Sequence, residues 1–186
     1  MDDIVKQAMA KWPNVPACAG WLGLDVRGNW YLRDGAAQAS GGFASGLPGS
    51  KGSLVEHAKL AEFIGRNYLV EPDGRWYFQN GPQRVYIELE NTPWVWRARW
   101  SDGRLHLHSH TGVAVPADEL RLLTDELGAV YLASTLGLGV VHTQDVLDVA
   151  EAMDAGLLPS AELVKCAALP AQFGFVRSPA LWQPPV

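Results

Sequence analysis

A short strand-turn-strand phrase occurs three times in this 186-residue chain and constrains the fold more than any other feature. It reads Asp25-Val26-Arg27-Gly28-Asn29-Trp30-Tyr31-Leu32, then Glu71-Pro72-Asp73-Gly74-Arg75-Trp76-Tyr77-Phe78, then Asp125-Glu126-Leu127-Gly128-Ala129-Val130-Tyr131-Leu132. In each copy an acid stands three residues before a glycine, and a tyrosine three residues after it. Glycine tolerates the positive φ of a tight hairpin, and Trp, Tyr, Val and Phe suit the strand that follows. Each copy therefore predicts a β-hairpin. The uneven spacing of Gly28, Gly74 and Gly128 argues against a solenoid or propeller. Two explanations stay open at this point. A duplication predicts equivalent hairpins in equivalent surroundings; convergence of hairpins on similar words does not.

The rest of the chain reads as strands interspersed with helices. Residues 21 to 34 form the first hairpin, and the glycine-rich stretch from Gly35 to Gly52 has loop composition. Ser53-Leu54-Val55-Glu56 is a capping box, predicting a helix to about Gly65 with Leu54, Ala58, Ala61 and Ile64 on one stripe. From 68 to 115 the pattern is that of a meander. Val85, Ile87 and Leu89 alternate on one strand, and Trp94, Trp96, Ala98 and Trp100 on the next. An even loop at Asn91-Thr92 pairs Leu89 with Trp94 and Ile87 with Trp96. A second at Asp102-Gly103 pairs Trp100 with Leu105 and Ala98 with Leu107. Odd loops would bury Arg97 and Arg99, at a prohibitive desolvation cost.

A helical turn is expected at Pro116–Leu120, a helix from Thr143 to about Asp154, a short helix from Ser160 to about Ala168, and an extended arm from Phe173 to Pro185. The fold class is α+β: antiparallel β-hairpins and a meander with three to four helices, the two lobes being related if the duplication is real. Residues 1–67 make an N-terminal hairpin-plus-helix lobe. Residues 68–186 make an antiparallel sheet with helices and the extended C-terminal arm.

A net charge of −5 gives no general pull toward nucleic acid or an anionic membrane. Met1 to Gln7 lacks the basic and apolar regions of a signal peptide, and the apolar run Leu127–Val141 is short and broken by glycines. Cys18 and Cys166 form no Cys-x-x-Cys pairing and read as small core residues. A cytoplasmic location is expected.

Chemistry concentrates in His106-Leu107-His108-Ser109-His110. Strand alternation points all three imidazoles to one side, an arrangement that a zinc or iron ion could use. The deduced register sets His106 beside Arg99 and His108 beside Arg97, with Tyr86 and Glu88 one strand further on. Guanidinium groups disfavour a cation and suit an anion. A solvated face of cross-strand ion pairs is the plain alternative. Gly46-Leu47-Pro48-Gly49-Ser50-Lys51-Gly52-Ser53 is reminiscent of a phosphate-binding loop, but Lys51 precedes Gly52 instead of following it. A looser anion site at the following helix start remains open. His57 is expected inside that helix as a structural residue, and no hydrolase elbow or dinucleotide fingerprint occurs.

Trp21-Leu22-Gly23-Leu24-Asp25, Gly28 to Gly35, Phe63-Ile64-Gly65-Arg66-Asn67-Tyr68 and Trp76 to Glu90 resemble a conserved proteobacterial family of unknown function, over about residues 20–100. The order Gly-x-Trp, helix, Val85 to Glu90, then Thr92-Pro93-Trp94-Val95 is also similar to a second uncharacterised bacterial family. That resemblance implies a duplicated α+β core with a pleckstrin-homology-like C-terminal lobe, a nucleotide-like ligand between lobes and a role in signalling. The glycine-rich insertion at 35–52 departs from it. The reading favours a non-enzymatic ligand-binding or regulatory protein that recognises a small anionic, nucleotide-like ligand through Arg84, Arg97, Arg99, His106 and His108, with Arg66 and Asn67 at the lobe junction. The alternatives are a metal-dependent enzyme using His106, His108 and His110, and an interaction scaffold. In the scaffold reading the Trp182-Gln183-Pro184-Pro185 arm docks onto a partner or onto a second copy, the latter giving a homo-oligomer. The sequence does not identify a cofactor.

Overall fold

The computed structural model describes residues 1–116 and 119–182, which cluster into two compact units. The first holds Met1–Asp25, Asn29–Asn91 and the chain from Phe175; the second holds Val26–Gly28 and Thr92–Gly174. The boundary expected at residue 67 falls inside the first unit.

The first unit opens with α1 (Asp3–Lys11), which sequence reasoning did not anticipate, and β1 (Cys18–Leu24). Then come β2 (Trp30–Leu32), α2 (Gly35–Ser40), β3 (Ser53–Leu54), α3 (Ala58–Arg66), β4 (Tyr68–Val70), β5 (Trp76–Asn80) and β6 (Gln83–Leu89). The sheet order is β3-β2-β1-β6-β5-β4, antiparallel throughout except for the central parallel pair of β1 and β6.

The expected capping box is not formed. Ser53 and Leu54 pair with Leu32 and Tyr31 as an edge strand, and His57 caps α3 instead, its Nδ1 accepting from Leu60 N at 3.4 Å. His57 is therefore a cap and not a mid-helix residue. The glycine-rich stretch is also more than loop. Asp34 caps α2 by accepting from Ala37 N at 2.8 Å, and the buried Arg33 guanidinium ties the stretch to β1. It donates to the carbonyls of Ser50 (2.8 Å), Gly20 (3.2 Å), Ala37 (3.3 Å) and Gly41 (2.5 Å). Two of these lie at the C-terminal end of α2, where orphan carbonyls favour a cation.

The second unit runs β7 (Trp94–Ser101), β8 (Arg104–Ser109), β9 (Ala114–Val115), β10 (Arg121–Asp125), β11 (Val130–Ser134) and β12 (Gly137–Val141). A 3-10 turn at Thr143–Asp145 then leads into α4 (Val146–Asp154), β13 (Glu162–Val164), a second 3-10 turn at Cys166–Ala168 and α5 (Leu169–Phe173). The short helix expected from Ser160 is thus a strand followed by a 3-10 turn. The helical turn expected at Pro116–Leu120 includes residues outside those described. The sheet order is β13-β10-β11-β12-β7-β8-β9. Apart from β13, this is the order of the first sheet repeated strand for strand. In each, two three-stranded antiparallel meanders are joined by a parallel pair, first strand to last.

The three phrases share one hairpin geometry. The acid's amide donates to the carbonyl four residues on, Asp25 to Asn29 at 3.0 Å, Glu71 to Arg75 at 2.9 Å and Asp125 to Ala129 at 3.1 Å. The glycines take φ of 84°, 84° and 81°, as a type I turn closed by a left-handed residue requires. The second and third copies occupy equivalent turns, β4–β5 and β10–β11, which supports duplication. The first lies at β1–β2, whose counterpart β7–β8 turns instead through Asp102 and Gly103, both with positive φ.

The expected pairing of Leu89 with Trp94 and Ile87 with Trp96 does not occur. Both flanks of β6 are taken, by β1 and β5, and where β5 runs out the arm replaces it: Leu89 N donates to Arg177 O at 2.8 Å and Val176 N to Gly74 O at 3.0 Å. β7 belongs to the other sheet, parallel to β12, with Thr92 Oγ1 accepting from Val140 N at 2.8 Å. The predicted β7–β8 register is observed, Ala98 against Leu107 and Trp100 against Leu105.

Trp96 is fully buried and reaches across β12, its Nε1 donating to Leu132 O at 2.7 Å. Its indole lies directly over Gly139, where a Cβ would overlap Nε1. Gly139→Ala is therefore expected to destabilise the protein by about 1–3 kcal/mol through overpacking, measured by urea unfolding; an unchanged midpoint would contradict this packing.

Candidate functional site

On β7 and β8 the residues expected to bind an anion face outward as the register predicts, Arg97 opposite His108 and Arg99 opposite His106. Arg99, His106 and His108 are exposed, and Arg104 shares their face. Arg97, however, is already engaged. Its Nε and Nη2 grip Asp145 at 2.5 and 3.1 Å, and the same carboxylate accepts from Ala98 N at 3.1 Å. Asp148 likewise accepts from Trp100 N at 2.6 Å. These two amides point to the side where β12 ends at Val141, so the carboxylates satisfy strand donors that have no strand beside them. Burial works to raise the Asp145 carboxyl, but the Arg97 and Ala98 hydrogen bonds and the Arg97 charge outweigh it and hold it below the usual carboxylate range. Arg97 is therefore an internal counter-ion.

The other expected ligands belong to the first unit. Arg84, Tyr86 and Glu88 lie on β6 in the first unit, where Arg84 pairs with Glu71 at 2.6 Å. Arg66 grips Asp2 at 3.2–3.3 Å. Asn67 is buried, accepting from Asp2 N at 2.8 Å and donating to Phe63 O at 2.9 Å. Lys51 belongs to the loop before β3 and pairs with Glu90 at 2.7 Å, so no helix N-terminus stands there to bind an anion.

The three histidines do not form a metal set. β8 ends at Ser109, and His110 turns inward so that its ring is enclosed. Its Nδ1 accepts from Val95 N at 3.3 Å, and its Cβ lies where a Cβ on Gly28 would come within 2.6 Å. Burial pushes the His110 imidazole down to about 3. Among the described residues no group of three or more histidine, cysteine, aspartate or glutamate side chains is placed to hold a metal ion.

The first unit contains a candidate site that sequence reasoning missed. A cavity of about 340 Å³ lies between the α1 end of the chain and one face of the sheet, lined by Met9, Trp12, Pro13, Gln79, Pro82 and Arg84 among others. Gln79 is 1% exposed, and its Nε2 donates to Gly81 O at 2.9 Å. Its Oε1 is buried and accepts no hydrogen bond from the described residues. Trp12 is 51% exposed, with the Lys11 ammonium 4.5 Å from its ring centroid. One signal was legible: Val5, Ala8, Met9 and Trp12 recur at helical spacing.

Two stability effects test these placements. Asp145→Ala removes a charge-assisted pair and a strand amide's acceptor together, and is expected to cost about 2–4 kcal/mol in urea unfolding. The second concerns acid. The unfolded His110 imidazole takes a proton near 6.5 and the folded one only near 3. Its contribution to stability is thus full above pH 6.5 and is lost as pH falls. Between pH 6.5 and 4.5 that loss approaches about 1.4 kcal/mol per pH unit. The slope should flatten in His110→Leu when unfolding free energies are compared across that window.

No curated protein matches this chain. Among solved structures it is similar to a DUF1285 family protein from Silicibacter pomeroyi DSS-3, with 16% identity and a TM-score of 0.49 over 76% of this chain and 72% of that one. A DUF1285 family protein from Shewanella baltica OS155 is similar at 14% identity and a TM-score of 0.45, over 71% of this chain and 91% of that one. Residues 1–180 match the family described as "Protein of unknown function (DUF2946)", and the chain belongs to that family.

Proposed function

We propose that this protein is a non-enzymatic ligand-binding or regulatory module that captures a small anionic molecule with a flat, nucleotide-like ring. We place the capture site in the cavity beside α1, not on the β7–β8 face. The observation that carries this reading is the buried Gln79 Oε1. An unpaired buried acceptor costs about 1–3 kcal/mol, and a ligand N–H or O–H that reaches it recovers that cost. Arg84 supports an anionic group at the rim. Among the described residues, one of its N–H donors is spent on Glu71, and its side chain is 45% exposed. The half-exposed Trp12 indole offers a face for a planar ring to stack on.

The metal-dependent reading gains no comparable support, since His110 points away from His106 and His108. For the C-terminal arm, the described contacts favour packing on its own unit over joining a second copy. Ser178 Oγ and Ala180 N donate to the buried Glu88 carboxylate at 2.5 and 3.0 Å, and Arg75 sits 4.0 Å from the Trp182 ring centroid. Gln183-Pro184-Pro185 lies outside the described residues. Among those described, no helix is long and apolar enough to cross a membrane. A reducing cytoplasm suits two cysteines that form no disulfide with each other, and signalling is the role a non-catalytic receptor of this kind would serve. The reading includes neither nucleic acid nor a membrane as partner.

A thermal-shift screen of nucleotides, nucleosides and heteroaromatic carboxylates, followed by calorimetric titration of hits, tests the site. A hit is expected to lose about tenfold or more in affinity in Gln79→Met and in Trp12→Ala, and less in Arg84→Met. Hits indifferent to all three variants, or abolished by Arg99→Ala, would move the site elsewhere.

A further inference from the structure

We propose a second, chemically different binding site on the opposite face of the first sheet, which takes an uncharged molecule with an apolar body and a polar head. The cavity there is about 480 Å³, within the range of ligand clefts. Its floor is Phe78 and Val85 from the sheet, its side wall Leu60 and Ile64 from α3, and its mouth Trp21 and Leu32. α3 packs over β5, and beyond it on the β1–β2 side the Trp21 and Leu32 side chains stay half-exposed. The ladder is also interrupted there. Cys18 pairs with Val85, but Leu22 already pairs with Ile87, and Gly20 takes a φ of 85° within the irregularity.

Isolated apolar side chains on a surface are ordinary, whereas several converging on one concavity mark a binding surface. Trp21, Leu32 and Leu60 are 48%, 50% and 37% exposed, and all three border this cavity. No lining residue carries a formal charge in its ordinary state. Burial raises the Cys18 thiol, which keeps it protonated and makes it a wall, not a nucleophile. The polar groups that remain, the Asn80 and Gln83 amides, belong to the β5–β6 end, and Gln83 is tied to Pro16 O at 3.1 Å. Amides bind a hydroxyl or carbonyl head without compensating a charge, so a carboxylate or phosphate entering here would be desolvated without a counter-ion. That chemistry separates this site from the cavity beside α1, which offers a guanidinium.

The test uses the full chain and the neutral fluorophore 1-aminoanthracene. Its emission is expected to rise on binding and to be displaced by decanol, with decanoate about tenfold weaker or worse. Leu32→Lys and Trp21→Ala change half-exposed side chains, and each should weaken the probe by about tenfold; unchanged circular dichroism confirms that both stay folded. Trp12→Ala should leave probe binding intact, which keeps this result independent of the other cavity. Decanoate binding as tightly as decanol, or loss of the probe in Trp12→Ala but not in Leu32→Lys, would overturn the proposal. So would a concentration-dependent doubling of mass by light scattering that Leu32→Lys abolishes, since the face would then be covered by a second copy.

Discussion

Each sheet depends on one parallel pair at its centre, β1 with β6 and β7 with β12. A parallel pair cannot be closed by a hairpin; the chain must travel away and return in the same direction. Here four further strands make that journey, which forces the first and last strands of each six-strand set to the middle. The pairing also creates a problem at each sheet's centre, because strands of unequal length leave donors without neighbours. In the second unit β7 outruns β12, and Asp145 and Asp148 take the exposed amides of Ala98 and Trp100. In the first unit β6 outruns β5, and the returning arm supplies Arg177 O to Leu89 N. A gap beside the parallel pair is filled by carboxylates in the second unit, and a gap beside an antiparallel neighbour by backbone in the first. The repairs differ while the strand order does not, as expected if the duplicated core came first and the patches diverged.

How legible this was varied by the kind of inference. Alternation correctly assigned the inward faces of β7 and β8, because burial of Trp96 and Leu107 acts on each strand separately; β6 is buried on both faces, Tyr86 and Glu88 as well as Ile87. The β7–β8 register is the one a two-residue turn at Asp102-Gly103 allows. The β6–β7 hairpin failed by the same logic applied where it does not hold. Parity restricts which face a strand buries, not which strand lies beside it, and Thr92 and Pro93 carry the chain to another sheet. The capping box at Ser53 was outcompeted by pairing of Ser53 and Leu54 with β2, a tertiary contact that no local signal contains. The arginines were read correctly as outward-facing and wrongly as available. Arg97, Arg84 and Arg66 meet Asp145, Glu71 and Asp2, acids distant in sequence that only the fold brings near.

The three acids of the repeated phrase show how one word can serve different ends. Asp25 accepts from Asn29 N and Asn29 Nδ2 at 2.8 and 3.1 Å. Asp125 accepts from Leu127 N and Ala129 N at 2.9 Å and from the Tyr131 hydroxyl at 2.7 Å. Burial acts to raise the Asp125 carboxyl, and these hydrogen bonds more than offset it, so it stays ionised below the usual carboxylate range. Both aspartates close their own turns. Glu71 is one methylene longer and reaches Arg84 instead. The substitution that looks most conservative in the phrase is thus the one that frees a carboxylate to orient a guanidinium at a cavity rim.

That rim shows why both cavities lie at one end of the first sheet. Successive residues on a strand face opposite sides, so Gln79 and Asn80 on β5, and Gln83 and Arg84 on β6, divide between the two faces. Gln79 and Arg84 face the cavity beside α1; Asn80 and Gln83 face the one beside α3. The same few residues around the β5–β6 turn therefore give one cavity a cation and a buried acceptor, and the other only neutral amides. Neither α1 nor α3 covers its face completely, and each leaves its gap at this end. A ligand with separate charged and apolar parts cannot occupy both gaps through the sheet, so the two proposed sites would select different molecules.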